Sequence, residues 1–123
     1  MIYKHKINNF SWGDLLLSEL KLDGDNIIIK VLEKDNNIKT ISCEEFIGIK
    51  CLGKWEESLI DSISVDKKGD VIVESVFKIR NNYELPYNTI NSKSIFYPWV
   101  QLNIKLVDGC FVKIACKDTY LEG

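Results

Sequence analysis

The sequence predicts a mainly β protein, an antiparallel β-sandwich or partly open barrel with room for one short helix. Three observations predict it. Apolar residues alternate with polar ones over short segments. Gly, Asp and Asn clusters punctuate those segments at regular spacing. The 123 residues suffice for one domain, read as spanning residues 1–123, and not for two.

Leu15 to Leu22 reads as a strand, Asp23-Gly24-Asp25-Asn26 as a four-residue turn, and Ile27 to Glu33 as a second strand. That register sets Leu22 against Ile27 and Leu20 against Ile29. After a turn at Lys34 to Asn37, Ile38 to Cys43 and Phe46 to Leu52 read as two short strands, or one strand broken near Glu44-Glu45. Lys54 to Val65 fits two periods. Trp55, Leu59, Ile60 and Ile63 lie on a helical stripe, while Leu59, Ile63 and Val65 fit a strand if Asp61 points inward or lies at an edge. The reading adopted is a strand from Leu59 to Val65. Asp66 to Asp70 reads as a turn, and Val71 to Arg80 as a strand, with Val71, Val73, Phe77 and Ile79 on one face.

The C-terminal hairpin is the best-determined element. Val100, Leu102, Ile104 and Leu106 form one apolar face, and Cys110, Val112, Ile114 and Cys116 another. A two-residue loop would set Ile104 beside Lys113. A three-residue loop, Val107-Asp108-Gly109, sets Leu106 beside Cys110 and Ile104 beside Val112. The second register buries one clean face, and a one-residue slip would cost roughly 1.5–3 kcal/mol for each side chain exposed. A type I turn with a G1 bulge and Gly109 at positive φ follows.

Composition excludes several functions. The net charge is −2, and Arg80 is the sole arginine, so a basic face for nucleic acid is lacking. No apolar run approaches the roughly 20 residues of a membrane-spanning helix. Met1 to Asn8 is polar and lacks an apolar core of signal-peptide length, so a cytoplasmic location is expected. Cys43, Cys51, Cys110 and Cys116 include no C-x-x-C pair, and free, buried thiols are expected. His5 is the only histidine and falls in the polar N-terminal segment, away from any nucleophile motif. The acids Asp23, Asp25, Asp66 and Asp70 lie in turns without EF-hand spacing. No metal, cofactor or catalytic residue is expected.

Two features remain as candidates for function. The segment from Asn81 to Trp99 holds Tyr83, Tyr87, Phe96, Tyr97 and Trp99 with both prolines, and its only charges are Glu84 and Lys93. Long loops inside small domains are often functional, and aromatic rings supply contact area at low entropy cost. The plainer reading is that these rings cover an open end of the sandwich. The second is an acidic stretch: residues 44 to 70 hold seven acids, Glu56 and Glu57 among them, against four lysines, a local net of −3. Such a patch could steer a basic partner, although clustered carboxylates are commonly a solvated face.

The order of motifs resembles a family of small bacterial proteins found as immunity proteins beside polymorphic toxins. The residues that carry the resemblance are Trp12-Gly13-Asp14-Leu15, Phe46-Ile47-Gly48-Ile49, and Trp55 with Ile60 and Ile63, followed by the Leu102–Cys116 hairpin. Gly13 stands where a histidine would often be expected. The resemblance implies an all-β protein that blocks a cognate toxin by occlusion and performs no chemistry. The expectation is therefore a non-catalytic protein-binding module with a protein partner, such as a toxin, anchored by Tyr83, Tyr87, Phe96, Tyr97, Trp99, Glu56 and Glu57. The alternatives are a small-ligand-binding or enzymatic barrel, with the same aromatics lining a cavity, and a homo-oligomer built on an exposed sheet edge.

Overall fold

Three hairpins and one bent strand pair generate the architecture. In the computed structural model the described residues are 2–3, 7–53, 58–82 and 98–122. Among the described residues the strands are β1 (Ile2–Tyr3), β2 (Leu16–Asp23), β3 (Asn26–Leu32), β4 (Ile38–Glu44), β5 (Gly48–Leu52), β6 (Ser58–Asp66), β7 (Val100–Leu106), β8 (Phe111–Cys116) and β9 (Asp118–Glu122), with one α-helix, α1 (Asp70–Asn82), and a short 3-10 helix at Ile7–Asn9. They form one antiparallel sheet in the order β1-β9-β4-β3-β2-β6-β7-β8-β5.

The first hairpin keeps the predicted register, with Leu22 opposite Ile27 and Leu20 opposite Ile29. Its loop is shorter than expected: Asp23 and Asn26 already pair, which leaves Gly24 and Asp25 as the turn. The C-terminal hairpin follows the sequence reading closely. Ile104 pairs with Val112, the Leu106 amide donates to the Cys110 carbonyl at 2.9 Å, and Gly109 sits at φ 90. Cys110 lies just before β8 rather than on it.

The sheet folds over between its halves without closing into a barrel. β4 runs into β5, and β8 into β9, each bending at a single corner, so that β4 pairs with β9 in one layer and β5 with β8 in the other. The Lys117 amide donates to the Glu44 carbonyl (2.9 Å) and the Ile47 amide to the Ala115 carbonyl (2.8 Å) across that corner. Glu45, at φ 47, makes the turn on the β4 side. On the far side β2 and β6 share only two residue pairs, Leu16 with Leu59 and Leu17 with Ser58. Ile27, Ile29 and Val31 of one layer meet Leu102, Ile104, Val112 and Ile114 of the other, all fully or almost fully buried. Trp12 is buried in the same core, its indole N–H held by the Ile7 carbonyl at 2.8 Å.

Two expectations need correction. β6 is a strand, but its buried face is Ile60 and Ile63, with Leu59 exposed. The pairing slips between Ile60 and Ser62, leaving Asp61 as an extra, exposed residue. A β-bulge of this kind turns residues three apart to one face, which is why the stripe resembled a helix. The larger correction concerns Val71 to Arg80, which is helix α1 and not a strand. Val71 is buried, while Val73 and Phe77, expected beside it on one strand face, are 68% and 63% exposed.

What makes this β-branched segment helical is the surface beneath it. Gly69 precedes α1, and its carbonyl accepts the Val73 amide (3.2 Å). The first free helix amides, Val71 and Ile72, donate to the Gln101 side-chain oxygen at 2.9 and 3.2 Å. That carboxamide, on β7, does the work an N-cap side chain would do. Under the helix lie Gln101, Ala115 and Gly48, which are direct neighbours across β7, β8 and β5. A Cβ on Gly48 would run into Ser75 and Val71, so its absence lets α1 approach the sheet.

Candidate functional site

β5 is one end of the sheet. Its inner edge pairs with β8, and among the described residues no strand pairs with its outer edge. Every second residue of such an edge turns its N–H and C=O outward, where another chain can meet them. The residues of β5 are also unusually bare: Ile49 is 40% and Leu52 59% exposed, and Lys50 and Cys51 are exposed with them. Gly48, Lys50 and Leu52 face the α1 side, and Ile49 and Cys51 face the interior side at its open margin.

α1 packs on the sheet face over β7, β8 and β5 and leaves a cleft of about 510 Å³ against β5, lined by Ile47, Gly48, Val71, Ser75 and Ile79, with Lys50, Glu74 and Lys78 at its charged positions. The helix is fixed at its start by a polar cluster. Gln101, buried beneath α1, donates to Asp70 Oδ1 (3.0 Å) and Asn103 Oδ1 (2.8 Å) while accepting the two helix amides. Lys113 Nζ lies 3.3 Å from Asp70 Oδ2, and Lys50 Nζ lies 3.9 Å from both Asp70 Oδ2 and Glu74 Oε1. The hydrogen bond from Gln101 holds the Asp70 carboxyl below its ordinary 3.8; slight burial opposes this, and Lys113 adds to the lowering through its hydrogen bond and charge. A second cleft, of about 410 Å³, lies on the same outer face over Ser62, Ser64, Asn103, Lys105 and Phe111.

The arrangement offers backbone edge, apolar surface and charge. Among the described residues no group of three or more His, Cys, Asp or Glu could hold a metal ion, and no helix is long and apolar enough to cross a membrane. Cys43 and Cys116 are both buried in the core, and none of the four cysteines is in a disulfide. Of the residues singled out from the sequence, Trp99 is half-buried immediately before β7. Tyr83, Tyr87, Phe96 and Tyr97, and likewise Glu56 and Glu57, lie outside the described residues. The acidic turns have structural roles: Asp66 accepts from Asn103, and Asp70 opens α1.

The β5–α1 edge went unread in the sequence because strand order is non-local. One local signal pointed to it: an isolated Gly48 inside a strand pattern marks a close approach of another element.

No family model and no curated protein matches the chain. A solved structure of an uncharacterized protein from Neisseria gonorrhoeae is similar to it at 13% identity, covering 100% of this chain and 98% of that chain, with a TM-score of 0.44. A likeness at that level bears on neither fold nor function.

Proposed function

We propose that the protein is a non-catalytic protein-binding module that takes an extended segment of its partner as an added strand on β5, in the cleft beside α1. The observation that carries this reading is the outer edge of β5, partly apolar and paired by no strand among the described residues, with α1 packed on the adjoining face. Strand addition of this kind draws affinity from main-chain hydrogen bonds and specificity from alternate side chains. An immunity protein that blocks a toxin by occlusion, the role implied by the resemblance of the motifs, is one form of such a module. The space between the layers, filled by the buried side chains of Ile27, Ile29, Leu102, Ile104 and Ile114, favours a surface reading over a ligand held between the layers.

The test is capture of the partner from the native host, followed by amide hydrogen exchange on the complex. Protection is expected at residues 48–52. Ile49→Lys, at an exposed position, should stay folded by circular dichroism and lose the partner. Tyr87→Ala and Trp99→Ala report whether the aromatic segment adds to the contact. A folded Ile49→Lys variant that keeps every partner, with unprotected β5 amides, would sink the proposal.

A further inference from the structure

Lys50 is the central residue of β5, and its direct neighbour on β8 is Lys113. Like charges placed opposite each other repel. Here the pair is bridged from the helix side by Asp70, which Gln101 and Lys113 already engage, with Glu74 farther along α1. On the opposite side of Lys50 is the edge that no described strand pairs. Lys78, also lining the cleft, has no ion pair among the described residues. Among the described residues that line the cleft, the lysines Lys50 and Lys78 thus outnumber the one acid, Glu74.

Resting on the strand-addition reading, we propose that the partner strand carries an apolar–acidic–apolar unit, with its carboxylate opposite Lys50 and within reach of Lys78. Side chains directly opposite in paired strands share a face. The residue facing Lys50 therefore lies on the α1 side among cations. Its two neighbours lie on the other face, against Ile49 and Cys51, where exposed apolar surface is available to bury. The same geometry argues against a second copy of this chain. The antiparallel register that uses all five residues of β5 would set Lys50 against Lys50, the device by which natural edges resist self-pairing.

Three strand-forming peptides test this, identical except for a Val-Glu-Val, Val-Gln-Val or Val-Lys-Val core, titrated into the full-length protein. Cys51 sits in β5, so its protection from alkylation reports occupancy, and amide shifts at residues 48–52 report the site. The Glu peptide should bind about fivefold tighter than the Gln peptide, with the Lys peptide weakest. Lys50→Glu should reverse that order, and raised salt should flatten it. If all three bind β5 equally, the acidic preference is overturned and strand addition stands. If no peptide binds while the captured native partner still protects residues 48–52, the proposed composition is overturned and the edge reading again stands. If neither occupies β5, both fall. Concentration-dependent self-association that shields Cys51 and survives Lys50→Glu would assign the edge to a second copy and overturn the proposal.

Discussion

Gln101 Nε2 donates to Asp70 Oδ1 at 3.0 Å, across 31 residues of sequence, and the same carboxamide accepts the amides of Val71 and Ile72. The cap of α1 is thus supplied by the sheet it packs on. Gln101→Leu keeps the volume and removes the cap, leaving two helix amides without their partner and Asp70 with its lysines alone. A loss of about 1–2 kcal/mol is expected, with faster exchange of the Val71 and Ile72 amides. Denaturant unfolding and residue-resolved exchange measure the two effects; an unchanged midpoint would mean the cap contributes nothing.

Gly69 tests the same relationship from the other side. Serine is ordinarily a better N-cap than glycine. A Cβ at Gly69, however, would run into the Gln101 carboxamide. Gly69→Ser is therefore expected to lower stability, against the local rule, and Gly69→Ser combined with Gln101→Ala should recover part of the loss. A Gly69→Ser variant more stable than the wild type would show that the carboxamide moves aside freely.

The pH dependence follows from the direction of the Asp70 shift. Its folded carboxyl titrates below the ordinary 3.8, chiefly through the Gln101 hydrogen bond. A depressed acid stabilises the fold above its unfolded pKa, and that contribution is lost as pH falls through the folded value. Asp70→Asn should lower the melting temperature at pH 6, and its deficit relative to the wild type should shrink as pH drops from about 4 toward 2. Thermal melts of both proteins over that range decide it; a deficit constant with pH would place the effect in packing rather than charge.

What the sequence revealed and what it hid divide along the range of the interactions. The β7–β8 register and the positive φ of Gly109 were legible because loop length and facing side chains settle both within a dozen residues. α1 was not. Val71, Val73, Phe77 and Ile79 alternate as a strand would, and β-branched residues favour that reading. The helix is chosen instead by Gln101, thirty residues later, and by the small Gly48 and Ala115 beneath it. The candidate site was hidden for the same reason. Nothing local to Gly48–Leu52 says that β8 takes one side and nothing described takes the other.

The cysteines should react in a set order. Cys43 is buried against Cys116, and its thiol is pushed well above the usual range by the hydrogen bond to Cys116, by burial and by the neighbouring sulfur's charge. Cys116 in turn donates to the Asp118 carbonyl at 3.4 Å. Neither should alkylate in the native state at pH 7. Cys51 is exposed and should react first, although partial burial raises its thiol too, so its rate should climb as pH rises toward 9. Mass spectrometry of timed alkylation resolves the order; Cys43 labelling as fast as Cys51 would mean that the core opens readily.

Gly109 isolates backbone conformation from packing. It sits at φ 90, and a Cβ there would meet nothing within 4 Å. Gly109→Ala therefore adds no clash, and its whole cost is that of holding an L residue at positive φ, about 1–2 kcal/mol. Gly109→Asn should cost less, since asparagine tolerates that region better. Because Ile104, Leu106 and Val112 of this hairpin line the core, the loss should appear as a lower unfolding midpoint at unchanged slope. An alanine variant as stable as the wild type would show that the loop can adopt another turn, and with it that the three-residue loop does not set the β7–β8 register.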